Sequence, residues 1–225
     1  MKRSVSILLI LAAMLSHTPA QSQWQNIAPN LLGNLYKFVN SSGTSPGGAM
    51  CFKAGKLWVG KNELWMSPDS GRSWSKRTPP LTNTVILDID FFDELDGVLT
   101  TFSDFAYHTT DGGMNWTKIG TQQFITTCCY LDDANSFLLG TAFAGSFITR
   151  DDGLTFQTLT SLNLMNCRHN PTGTMVYGFQ YAGTPPASLF VSSDNGRNWT
   201  QRSQLQDCDS YSLSIDKCND SIVYI

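Results

Sequence analysis

Histidine is scarce in this chain of 225 residues: His17, His108 and His169 are the only three, too scattered to form a catalytic pair. Its six cysteines include no Cys-x-x-Cys motif and no Cys/His spacing that would hold zinc. There is no glycine-rich phosphate loop, nucleophile elbow or calcium loop, so neither a metal nor a cofactor is expected. Only 15% of residues are charged and the formal net charge is −3, which argues against nucleic acid as the main partner. Long apolar runs are missing too. The one at residues 5–15 is too short to cross a bilayer, and no membrane span is expected elsewhere.

What the chain does contain is one eight-residue box written four times. Ser67-Pro-Asp69-Ser-Gly71-Arg-Ser-Trp74 is followed by Thr109-Thr-Asp111-Gly-Gly113-Met-Asn-Trp116. Thr149-Arg-Asp151-Asp-Gly153-Leu-Thr-Phe156 and Ser192-Ser-Asp194-Asn-Gly196-Arg-Asn-Trp199 complete the set. The aspartates step by 42, 40 and 43 residues, which makes this a repeat protein. Asp-x-Gly between two apolar runs signals a tight hairpin, with glycine supplying a positive φ. The aspartate carboxylate and the Ser/Thr hydroxyl suit hydrogen bonds to the turn's own backbone, and the closing aromatic opens the next strand. The box aspartates therefore read as structural.

The pattern resembles the Asp-box (BNR) repeat of sialidase-like, sortilin-type and photosystem II assembly factor-like β-propellers. The resemblance implies an all-β propeller of four-stranded antiparallel blades. It also implies that each box joins the third and fourth strands of its blade, away from the functional face. It carries a fold more firmly than an activity.

Lys2 and Arg3 precede the apolar run at the N-terminus, and small residues follow near Ala20, so residues 1–20 read as a secretory signal peptide. The mature chain, residues 21–225, is expected to be exported to a periplasmic, cell-surface or extracellular site. Loss of Lys2 and Arg3 takes the charge from −3 to −5. Residues 24–80 nevertheless hold seven basic side chains against two acidic ones. Lys53, Lys56 and Lys61 among them form either a cationic docking face or ordinary solvated strand edges that discourage pairing.

Four complete blades are expected at about residues 49–80, 81–122, 123–162 and 163–206, with a partial fifth at 207–225. The segment around Trp24 reads as an outer strand that closes a last blade. The chain then reads as part of a ring of roughly six to eight blades, needing the remaining blades or a partner to close it. Cys129 and Cys167 each precede a glycine, Gly140 or Gly178, by eleven residues and are assigned equivalent inner-strand positions, with Cys51 nearby. Cys51, Cys128, Cys129 and Cys167 read as small buried hydrophobes. Cys208 and Cys218 are placed to staple the fifth inner strand, although connectivity cannot be read from sequence.

Three functions remain open. An exported, non-catalytic propeller would bind a protein or a glycan. A glycoside hydrolase would need two carboxylates, and Asp88 and Asp90 alternate on one inner strand so that both face one side. Asp90 aligns with Cys129 and Cys167 near the channel. A structural module of a larger surface or adhesin-like protein is the third. The Arg-Ile-Pro signature that the sialidase resemblance would require is absent. Arg72, Arg150 and Arg197 lie in boxes at the periphery, leaving only Arg168 on an inner strand.

Overall fold

The computed structural model describes residues 49–81, 84–102, 105–120, 125–170, 173–180, 186–206, 213–215 and 223–224. Residues 1–20, expected to be a signal peptide, the segment around Trp24, expected to be an outer strand, and Cys208 and Cys218 lie outside the described residues. Among the described residues there is no helix. Sixteen strands form four antiparallel four-stranded sheets, each meandering in chain order, as a partial β-propeller requires.

The first blade is β1 (Ala49–Lys53), β2 (Lys56–Gly60), β3 (Leu64–Ser67) and β4 (Ser75–Lys76). The second is β5 (Ile86–Phe91), β6 (Gly97–Thr101), β7 (Ala106–Thr109) and β8 (Thr117–Ile119). The third is β9 (Ile125–Tyr130), β10 (Phe137–Thr141), β11 (Ser146–Thr149) and β12 (Gln157–Leu159). The fourth is β13 (Leu164–His169), β14 (Val176–Gln180), β15 (Ala187–Ser192) and β16 (Thr200–Leu205). A two-stranded ladder, β17 (Ser214–Ile215) with β18 (Val223–Tyr224), follows. The inner strands β1, β5, β9 and β13 lie side by side in that order.

Position within the blade explains the composition of each strand. The second strands are covered on both faces, and β6 and β10 are buried at every residue. Such strands read as runs of apolar and small residues rather than alternating ones. The outer strands are edges: β16 (Thr-Gln-Arg-Ser-Gln-Leu) is exposed at its first five positions, with a polar and charged surface that resists further pairing. The core is accordingly a series of layers between blades. Trp58, Leu64 and Met66 pack against Ile86, Ile89 and Phe91, with the Trp58 and Phe91 rings stacked at 3.8 Å. Val98 and Ala106 meet Ile125, Cys128 and Tyr130; Leu138 and Ile148 meet Leu164, Cys167 and Val176. Blades approach so closely that a Cβ on Gly140 would lie 2.1 Å from the Leu164 carbonyl oxygen.

The four box turns are close copies. In the first, Ser67 Oγ donates to Asp69 Oδ1 (2.9 Å) and accepts from the Gly71 N–H (2.7 Å). Asp69 accepts from the Ser73 N–H and hydroxyl, both at 2.7 Å. Thr109 and Asp111, Thr149 and Asp151, and Ser192 and Asp194 repeat the arrangement. Glycine is not the only residue with positive φ. Its predecessor is left-handed too, at Ser70, Gly112, Asp152 and Asn195. The aromatic residue stands one position before the outer strand rather than inside it, and its indole N–H caps the turn: Trp74 donates to the Gly71 oxygen at 2.9 Å. Phe156 has no such proton.

The alignment of the two cysteines requires correction. The first residue of each box pairs with Leu57, Gly97, Phe137 or Val176, and these pair in turn with Phe52, Phe91, Tyr130 and His169. One residue earlier stand Cys51, Asp90, Cys129 and Arg168; two earlier stand Met50, Ile89, Cys128 and Cys167. Cys167 therefore matches Cys128, not Cys129. Counting from Gly140 and Gly178 fails because those glycines are not equivalent: Gly140 pairs with Thr127, whereas Gly178 pairs with Cys167.

Candidate binding site at the inner-strand ends

Because successive strand residues face opposite sides, Asp88 and Asp90 both project from β5 toward β9, and each is met there by a backbone N–H. The Asp88 carboxylate is 5% exposed and fully engaged. Its Oδ2 accepts from Thr127 Oγ1 (2.5 Å), the Cys128 N–H (3.2 Å) and Arg168 Nη1 (2.8 Å). Its Oδ1 accepts from Arg168 Nη2 (3.0 Å) and the Ile89 N–H (3.0 Å). Arg168 also donates to the Cys167 oxygen at 2.6 Å. This fork joins blades two, three and four. Burial opposes the Arg168 charge, but the Asp88 carboxylate outweighs it and pushes the guanidinium pKa up.

Asp90 is different. Its Oδ2 accepts from the Tyr130 N–H at 2.8 Å, and it lines a cavity of about 520 Å³. Burial pushes its pKa up to about 6, against the pull of the Tyr130 N–H and of Arg168. Lys53, Phe52, Phe92, Tyr130, Asp132 and His169 share the lining. The Tyr130 hydroxyl is buried with no hydrogen-bond partner in the protein. Burial, with Lys53 nearby, lowers the His169 pKa, so the ring is neutral at neutral pH. The cavity brings together an exposed ammonium, the carboxyls of Asp90 and Asp132 and the Tyr130 hydroxyl among aromatic rings, a lining that suits a polar ligand. Among the described residues it offers no group of three metal ligands.

The other candidates are dispersed. Lys53 and Lys56 flank the Ala54–Gly55 turn, while Lys61 stands at the far end of β2, on the order of 16 Å away for five strand residues. Lys56 is moreover paired with Glu94 at 2.8 Å. The three lysines therefore do not form one cationic face, and only Lys53 belongs to the cavity. Arg150 and Arg197 approach Asp132 to 3.1 and 3.7 Å and also bond to the box-turn oxygens of Asn195 and Asp194. His108, on blade two, is buried against Phe137, whereas His169 stands on blade four. The cavity also lies at the same end of the sheets as the boxes. There the first hairpin of a blade touches its own box turn, as in Gly112 N–H to the Leu95 oxygen (2.8 Å). The resemblance had placed function away from that end.

Sequence reasoning singled out Asp88, Asp90, Arg168 and Lys53, but missed Tyr130 and His169. Their signal was available: both stand at one box-anchored register, where Phe52 and Phe91 are plain aromatics.

The sequence matches no family model and no curated protein. Solved structures resemble it in fold. YCF48 bound to D1 peptide aligns with a TM-score of 0.53 at 21% identity, covering 68% of this chain and 53% of that one. The GH74 enzyme of Niastella koreensis aligns at 0.53 and 13% identity, over 69% of this chain and 29% of the enzyme. The GH74 xyloglucanase of Xanthomonas campestris aligns at 0.53 and 15%, over 75% and 33%. The chain thus spans about half of YCF48 and a third or less of the two hydrolases. These likenesses establish the propeller fold.

Proposed function

We propose that this chain is an exported, non-catalytic Asp-box propeller that binds a protein or glycan partner through the cavity around Asp90 and Lys53. The carrying observation is the state of Asp88. A hydrolase of the two-carboxylate type needs both groups free to reach the scissile bond, and Asp88 is locked by Arg168, Thr127 and Cys128. The cavity keeps two carboxyls, Asp90 and Asp132, of which Asp132 is paired with Arg150 at 3.1 Å and approached by Arg197 at 3.7 Å. YCF48, solved with a peptide bound, offers a precedent for a protein partner.

The reading is tested in two steps. Incubation with xyloglucan and other β-linked glucans should release no reducing ends. Turnover that disappears in Asp90→Asn would overturn the proposal in favour of a glycoside hydrolase, for which the raised Asp90 pKa is the one supporting observation. A photo-crosslinker at Phe52 should capture a discrete partner in the native host, with at least a tenfold loss in Lys53→Glu. Unchanged capture in that variant would remove the cavity from the interface.

A further inference from the structure

We propose that Cys129 and Cys167 are a disulfide site, oxidised by a small-molecule or protein disulfide, that staples blade three to blade four beside the ring axis. The register dictates this pairing. Residues in line with Cys51, Asp90 and Cys129 face the following blade, while residues in line with Ile89, Cys128 and Cys167 face the preceding one. Each junction therefore brings one residue of each kind together. The first joins Cys51 with Ile89 and the second joins Asp90 with Cys128. Among the described residues, only the third opposes two thiols.

The local contacts agree. Cys129 and Cys167 belong to the same buried cluster, at 1% and 0% exposure. The Cys129 thiol donates to the Tyr130 oxygen at 3.3 Å, and the neighbouring Cys167 thiol, together with burial, pushes its pKa up. Thr127, two residues before Cys129 and on the same side of β9, brings its Oγ1 to 3.7 Å from Cys167 Sγ. The adjacent pair Cys128–Cys129 is excluded, because consecutive strand residues point to opposite faces: Cys128 packs between blades two and three. Cys51 packs between blades one and two.

In the reaction the two thiols give up two protons and two electrons, an S–S bond forms, and the oxidant's disulfide is reduced to two thiols. Both thiols are free in the structure. Their closed surroundings make them poor nucleophiles once the interface has formed, so the bond forms as blade four docks on blade three. The export reading supplies an oxidising setting; the chemistry itself needs only the oxidant.

The test refolds the reduced full chain with oxidised glutathione, then alkylates it under denaturing conditions and maps peptides without reduction. The result expected is a peptide carrying Cys128 and Cys129 linked to the one carrying Cys167. The link persists in Cys128→Ser and is lost in Cys129→Ser. The linked form has a higher urea midpoint than the reduced form, a difference that vanishes in Cys167→Ser. Separate alkylation of both cysteines, a Cys128 link, or a glutathione adduct at Cys129 in place of the link would overturn the proposal. Native-host protein carrying free thiols while the refolded chain is linked would instead sink the export reading alone.

Discussion

At the box turns of blades two and four, Asp111 and Asp194 accept the same bonds from residues four positions on, at distances within 0.1 Å of each other. Inward along the same blades, Asp90 and Arg168 share one register and have opposite charge. The turns are held by local contacts that every blade repeats. The inner strands are held by contacts between blades, so each position answers to a different neighbour. Repetition stabilises the ring, and departure from repetition marks where the ring has become specific.

This contrast predicts unequal responses to substitution. Arg168→Met should have the largest effect, because it leaves the Asp88 charge buried with no cation beside it; about 3–4 kcal/mol of stability should be lost in urea unfolding. Asp90→Asn should act the other way. A carboxyl whose folded pKa is about 6 binds its proton more tightly folded than unfolded, so ionisation destabilises the fold above pH 6 and not below pH 4. The variant should therefore gain about 1–2 kcal/mol at pH 8 and almost nothing at pH 4.

The turns should respond uniformly and weakly. Asp111→Ala and Asp194→Ala should each cost about 1 kcal/mol, alike within experimental error. Hydrogen bonds to the backbone and side chain of Asn198 lower the Asp194 pKa to about 2. Its contribution is therefore present above about pH 4 and disappears as pH falls toward 2, the reverse of Asp90. A variant Asp194→Asn should flatten that part of the acid unfolding curve. The smallest effect is expected from Phe156→Trp, which restores the indole bond made by Trp74, Trp116 and Trp199 and should add about 0.5 kcal/mol.

The same contrast explains what was legible in the sequence. Ser67, Asp69, Gly71 and Ser73 interact within four residues of one another, so their chemistry is written as a motif and the blade follows from it. The closing aromatic, expected to open the outer strand, stands one residue before it, as at Trp74. Arg168 and Asp88 are eighty residues apart, and no local pattern announces that they meet. Pairing depends on blade-to-blade register, and there the glycine-based alignment slipped by one residue at Cys167. A slip of one reverses the face to which a strand residue points, which is why the opposed thiols became evident only from the sheet pairing. The ion pair of Arg150 with Asp132 is invisible for the same reason.

The most direct test of the account is a double-mutant cycle on Asp88→Asn and Arg168→Met, measured by urea unfolding. If Asp88 belongs to the lattice that joins three blades, the two substitutions should be strongly coupled, the double variant losing about 2–3 kcal/mol less than the sum of the singles. Additivity within about 0.5 kcal/mol would show that Asp88 stands free of Arg168, and would return it to the list of groups available for chemistry.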